Sequence, residues 1–140
     1  MNPYANSSAY RKAQVEGASS DQLLLQLVEA GVRHARQARS LGEQGELVKA
    51  RENALQTLKI VSELDSSLDR ETGGEIVEQL ESLYAYLIRE IGDANRKQEF
   101  ARFRDVEEIL HTLYTGWKDA VSSLQAAAKE EKVAEMGGRV

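Results

Sequence analysis

Cysteine is absent from the 140 residues. That excludes a disulfide framework, a thiolate nucleophile and any thiolate metal site. Proline occurs once, at Pro3, so no interior proline removes a backbone donor or clashes with a preceding helical turn. No apolar run approaches the roughly 20 residues that a membrane-spanning helix needs. The opening MNPYANSSAYRK also lacks the apolar core of a secretory signal. Concentrated basic charge is missing too: the net charge is -5, whereas phosphate binding calls for a basic surface. Arg96, Lys97, Arg102 and Arg104 cluster, but Glu99 and Asp105 interrupt them, which reads as a solvated helix start. These absences point to the cytoplasm, with no membrane insertion and no nucleic-acid partner.

What remains is aliphatic and charged. With 41% hydrophobic and 29% charged residues, the chain fits one globular domain long enough to bury a core. Ser19 and Gln22 form a capping box that starts a first helix over about 20–41. Its apolar stripe is Leu24, Leu27, Gly31, Ala35 and Ala38, and Gly42 with Gly45 favours a turn. A second helix over 46–68 carries Leu47, Ala50, Ala54, Leu58, Val61, Leu64 and Leu68 on one face. Thr72 with Glu75 offers another capping box for a third helix over 74–94. Ile76, Leu80, Leu83, Leu87, Ile91 and Ala94 mark its buried side, and Asn95 is its left-handed terminator. The fourth helix, about 98–130, repeats Phe103, Val106, Leu110, Leu113, Trp117, Ala120, Leu124 and Ala127 at heptad-like spacing. Short connections between long helices predict an all-α, antiparallel up-down four-helix bundle over 19–132. Residues 1–18 read as a flexible segment and 133–140 as a disordered tail.

One stripe per helix leaves apolar residues over. Leu25 and Val32, Val48 and Leu55, Val77, Tyr84 and Ile88, and Ile109, Tyr114 and Val121 lie off the main stripes. They read either as a broad buried face or as exposed grooves awaiting an amphipathic partner helix. Leu83 and Trp117, on main stripes, read as core.

Chemistry finds little support. Glu108 and His111 stand at the Glu-x-x-His step of di-iron bundles. That site needs a second such pair, yet the other histidine, His34, has Gly31 three residues before it. Phosphotransfer bundles place a lysine and then a glycine soon after their histidine, whereas Ala35, Arg36, Gln37 and Ala38 follow His34. No serine has a histidine at an activating spacing, and no Gly-rich phosphate loop is present. The sequence therefore suggests no cofactor, no metal and no enzyme.

An ordered set of residues from Tyr4 to Trp117 resembles the flagellar secretion chaperone FliS family. It comprises Ala18-Ser19-Ser20-Asp21-Gln22-Leu23-Leu24 with Leu27, Ile60-Val61-Ser62-Glu63-Leu64, Leu68-Asp69 and Gly73-Gly74-Glu75-Ile76. Leu80, Leu83-Tyr84-Ala85-Tyr86, Ala94-Asn95, and Val106, Leu110, Leu113 and Trp117 complete it. Ser20 stands where the family commonly has proline, and Val28-Glu29-Ala30-Gly31 replaces its usual Tyr-acid-Gly-Ala. The resemblance implies a cytoplasmic chaperone that binds the C-terminal segment of flagellin, prevents premature polymerisation and presents it to a flagellar type III export gate component. A co-chaperone or regulator is a further partner that the resemblance leaves open, and a monomer and a weak homodimer both fit. The family's N-terminal segment is mobile and close to the partner surface, which brings in Tyr4 and Tyr10. With Val48, Leu55, Ile109, Tyr114 and Val121 they form the candidate partner-binding set. An oligomerising bundle without a flagellin client, and a phosphotransfer module acting through His34, are the alternatives.

Overall fold

The computed structural model describes residues 3–4 and 20–137. It is all-helical: α1 (Ser20–Glu43), α2 (Leu47–Ser66), α3 (Gly74–Lys97), a 3-10 turn (Phe100–Arg102) and α4 (Phe103–Gly137). Four long helices bundle around one core, as the four apolar stripes predict. The helix α1 packs broadly on α2 and α4, and α3 packs on α2 but touches α4 far less. Small residues set the spacing near the centre. A Cβ added at Gly31 would lie 3.2 Å from both Ile60 and Leu110, while Ala35, Ala38, Ala50 and Ala54 are wholly buried.

The connections follow from local backbone chemistry. At the end of α1, the Glu46 N–H donates to the Leu41 carbonyl at 2.9 Å and the Gly45 N–H to that of Gly42 at 3.1 Å. This is a Schellman closure, with Gly45 at φ +78° supplying the left-handed residue. Gly42 stays helical because Phe100 needs its bare surface: a Cβ there would sit 2.4 Å from the Phe100 Cβ. At the end of α3 the same closure recurs, from Glu99 N–H to Ala94 and from Gln98 N–H to Asn95. Its left-handed residue is Gln98, at φ 58°, and not Asn95. Ion pairs from Asp93 to Arg96 and Lys97 favour one more turn, with cations at the negative helix end.

Other expectations also shift. The Thr72–Glu75 capping box does not form: Gly73 is the N-cap and makes no side-chain cap bond. The Thr72 N–H and hydroxyl both donate to the Asp69 carboxylate instead. Ser19 lies outside the described residues. The buried line of α3 is rotated, so that Val77 and Tyr84 are core and Ile76 is 47% exposed. The cause is tertiary, because α3 leans on α2 and leaves its flank toward α4 open. On α2, Thr57 joins the core by donating its hydroxyl to the Asn53 carbonyl at 2.8 Å. Trp117 is only half-buried. The helix α4 runs to Gly137, beyond the 130 expected, since the run AAAKEEKVAEM is rich in strong helix formers and lacks proline. In the segment expected to be flexible, Pro3 and Tyr4 are both buried.

Candidate partner-binding site

The two ends of the α3–α4 pair differ in chemistry. At the C-terminal end of α3, Arg102 holds Glu90 in a two-pronged ion pair, at 2.7 Å from Nε and 2.9 Å from Nη2. Its Nη1 donates to Asp93 at 2.9 Å and to Glu99 at 3.3 Å. These hydrogen bonds hold the Glu90 and Asp93 carboxyls below their usual range and push the Arg102 guanidinium up. Tyr86 adds a hydrogen bond to Asp105 at 3.0 Å, which raises its own phenol. Together these contacts fasten α3 to the start of α4.

At the N-terminal end of α3 the helices part. A cleft of about 270 Å³ opens there, lined by Ile76, Leu80, Leu113, Gly116, Trp117 and Ala120, with Pro3 beside them. Three contacts seat the chain's own Pro3 and Tyr4 beside it. The Asp69 N–H donates to the Pro3 carbonyl at 2.6 Å. The Tyr4 ring lies 5.4 Å from that of Trp117 at a 47° tilt, an attractive aromatic arrangement. The Tyr4 and Tyr84 phenol oxygens share a buried hydrogen bond of 2.8 Å. Burial pushes both phenols above their ordinary 10.0, with the nearby Asp65 carboxylate adding to the effect.

The sequence-derived candidates do not converge on one surface. Tyr4 is buried beside the cleft, against Trp117 and Tyr84, and Tyr10 lies outside the described residues. Val48 and Leu55 are 73% and 48% exposed on α2. Ile109 and Tyr114 on α4 are half-buried against the core, and Val121 is buried. Tyr114 instead lines a second recess, also of about 270 Å³, with Val32, Arg33, Arg36 and His111, and Lys118 sits 5.9 Å above its ring. The cleft residues Ile76, Leu80, Leu113 and Trp117 all carried a core reading. The signal that pointed elsewhere was the surplus of apolar residues on α3, too many for one stripe.

The histidines have structural surroundings. His34 Nδ1 is 2.9 Å from the Asn53 side-chain oxygen, tying α1 to α2, and His111 is exposed. Arg36 and Arg39 both bind Glu107 across α1 and α4, at 2.9 and 2.8 Å. Their hydrogen bonds outweigh the effect of burial and lower the Glu107 carboxyl. Among the described residues, no group of three metal-ligating side chains occurs, and no helix is long and apolar enough to cross a membrane.

Known proteins share this sequence over most of its length. The chain is 33% identical over 115 residues to the flagellar secretion chaperone FliS of Salmonella typhimurium, covering 79% of this chain and 85% of that one. The Vibrio cholerae protein of the same name is 30% identical over 113 residues, covering 78% and 83%. That of Bacillus subtilis is 27% identical over 123 residues, covering 88% and 89%. The family described as flagellar protein FliS matches residues 1–124, and the chain belongs to it.

Proposed function

We propose that this chain is a cytoplasmic chaperone that holds the C-terminal segment of flagellin, keeps it from polymerising early and presents it to the flagellar type III export gate. The observation that carries this reading is the apolar α3–α4 cleft, open over about 270 Å³ and bordered by the chain's own Pro3, with Tyr4 seated beside it on Trp117. An amphipathic helix from the partner takes the place of Pro3 and Tyr4, laying its apolar stripe against Leu80, Leu113 and Trp117. A partner that is disordered when free loses conformational entropy on folding, and burial of an extended apolar surface offsets that loss.

The remaining candidates extend the contact. Tyr10, six residues past Tyr4 in the sequence, adds an aromatic contact to the partner. Val48 and Leu55 on α2, and Ile109 and Tyr114 on α4, offer further surfaces to a segment that wraps the bundle. The role is binding, without a chemical step. Calorimetry with a flagellin C-terminal peptide tests it: one-to-one binding with a negative heat-capacity change is expected. An absence of heat for every flagellin tail from the same organism would defeat the reading.

A further inference from the structure

We infer that the Tyr84 phenol selects the partner, by requiring one neutral hydrogen-bonding side chain within the otherwise apolar face of the helix that replaces Tyr4. This rests on the reading that the partner enters the α3–α4 cleft. Tyr84 is wholly buried, and among the described residues its hydroxyl bonds to that of Tyr4. One turn away on either side stand Leu80 and Leu87, which offer no hydrogen bond. When Tyr4 leaves, its own hydroxyl returns to water, but that of Tyr84 stays beneath whatever takes the place of Tyr4. A purely apolar occupant strands a buried hydroxyl, which weakens binding by about 5- to 150-fold relative to an occupant that satisfies it.

The charge around the two phenols narrows the choice further. Asp65 is already paired with Arg70 at 3.1 Å, so it offers a partner carboxylate no free cation, and that carboxylate would have to leave water unpaired. A lysine or arginine would have to leave water for an apolar cleft. Glutamine, asparagine, serine, threonine and tyrosine remain. The Tyr84 of the Leu83-Tyr84-Ala85-Tyr86 run thus has a role that its neighbour Tyr86, bonded to Asp105 on the fastened side, does not share.

The test is a double-mutant cycle by calorimetry, using a flagellin C-terminal peptide. Each neutral polar residue on its apolar face is replaced in turn by leucine, and each peptide is titrated into the unmodified chain and the Tyr84→Phe chain. One replacement should weaken binding to the unmodified chain by about 5- to 150-fold and have little effect on Tyr84→Phe. The ratio is the readout, because Tyr84→Phe also loosens Tyr4 and changes every affinity together. A Tyr4→Phe chain gives a second reading: with the Tyr84 hydroxyl unpaired beforehand, the unmodified peptide should bind several-fold more tightly. The Leu113→Asp chain locates the peptide. If Leu113→Asp abolishes binding but no peptide position couples to Tyr84, the selection role is overturned and the cleft reading stands. If binding ignores Leu113→Asp, the cleft reading falls, and this inference falls with it.

Discussion

The fastened and open ends of the α3–α4 pair use the same two helices for different purposes. At one end, Arg102 gathers Glu90, Asp93 and Glu99, and beneath it Phe103 is wholly buried with Phe100 beside it at 6.2 Å. At the other end Tyr4 stands between them, its ring on Trp117 and its hydroxyl on that of Tyr84. Polar contacts that need fixed geometry hold the frame, while apolar contacts without strong directionality line the cleft proposed to take the partner. A chaperone for a flexible client gains from that division, since apolar surfaces tolerate sequence variation and ion clusters do not.

Matched truncations break the comparison most sharply. Phe103→Ala, at the fastened end, should lower stability by about 3–5 kcal/mol through the cavity it leaves, read as a lower denaturant midpoint. Trp117→Ala, half-buried at the open end, should cost about 1–2 kcal/mol yet weaken partner binding strongly. Equal stability losses at both sites would mean that the open end is core after all. Leu113→Asp should remove most peptide binding in calorimetry and leave helicity, followed by circular dichroism, nearly unchanged.

Acid and base should separate the two ends. Arg102 holds Glu90 and Asp93 below their ordinary values of 4.5 and 3.8. Depressed carboxylates stabilise the fold above the unfolded values, and that contribution is lost as pH falls through the folded ones. Stability should therefore drop below about pH 4.5 in the native chain and less steeply in Arg102→Gln. The phenols of Tyr4 and Tyr84 are raised above 10.0, so their contribution is intact below pH 10 and fades as pH climbs beyond it. Thermal melts across both ranges, with Tyr4→Phe as the alkaline control, check the assignment. The smallest effect concerns the turn after α3. Gln98→Gly relieves a left-handed residue at φ 58° and should raise stability by at most about 1 kcal/mol.

Much of the bundle was legible because its signals are local. Gly45 marks a turn by its chemistry alone. The apolar spacing locates the inner faces of α1, of α2 from Ala50 onward and of α4 as far as Leu110. By contrast, Leu47, Ala120 and Ala127 of the expected stripes are exposed, and Val32 and Val121 off them are buried. The errors fall where a distant contact decides. The rotation of α3 toward Val77 and Tyr84 depends on which neighbour it leans on, and periodicity does not encode that choice. The displacement of the terminator from Asn95 to Gln98 depends on ion pairs that reward one more turn. The seat of Tyr4 depends on Tyr84, eighty positions away, and on the Asp69 amide. The ordered family resemblance brought Tyr4 into the candidate set, and the bundle geometry places its side chain against Tyr84 and Trp117.

The most direct test of the cleft uses the single tryptophan, which stands on its wall. A tryptophan-free flagellin C-terminal peptide is titrated while Trp117 emission is followed. Replacement of Tyr4 against the indole predicts a saturating spectral change at one-to-one stoichiometry, absent in Leu113→Asp. Binding seen by calorimetry while Trp117 emission stays flat would contradict the account and move the partner to another face of the bundle.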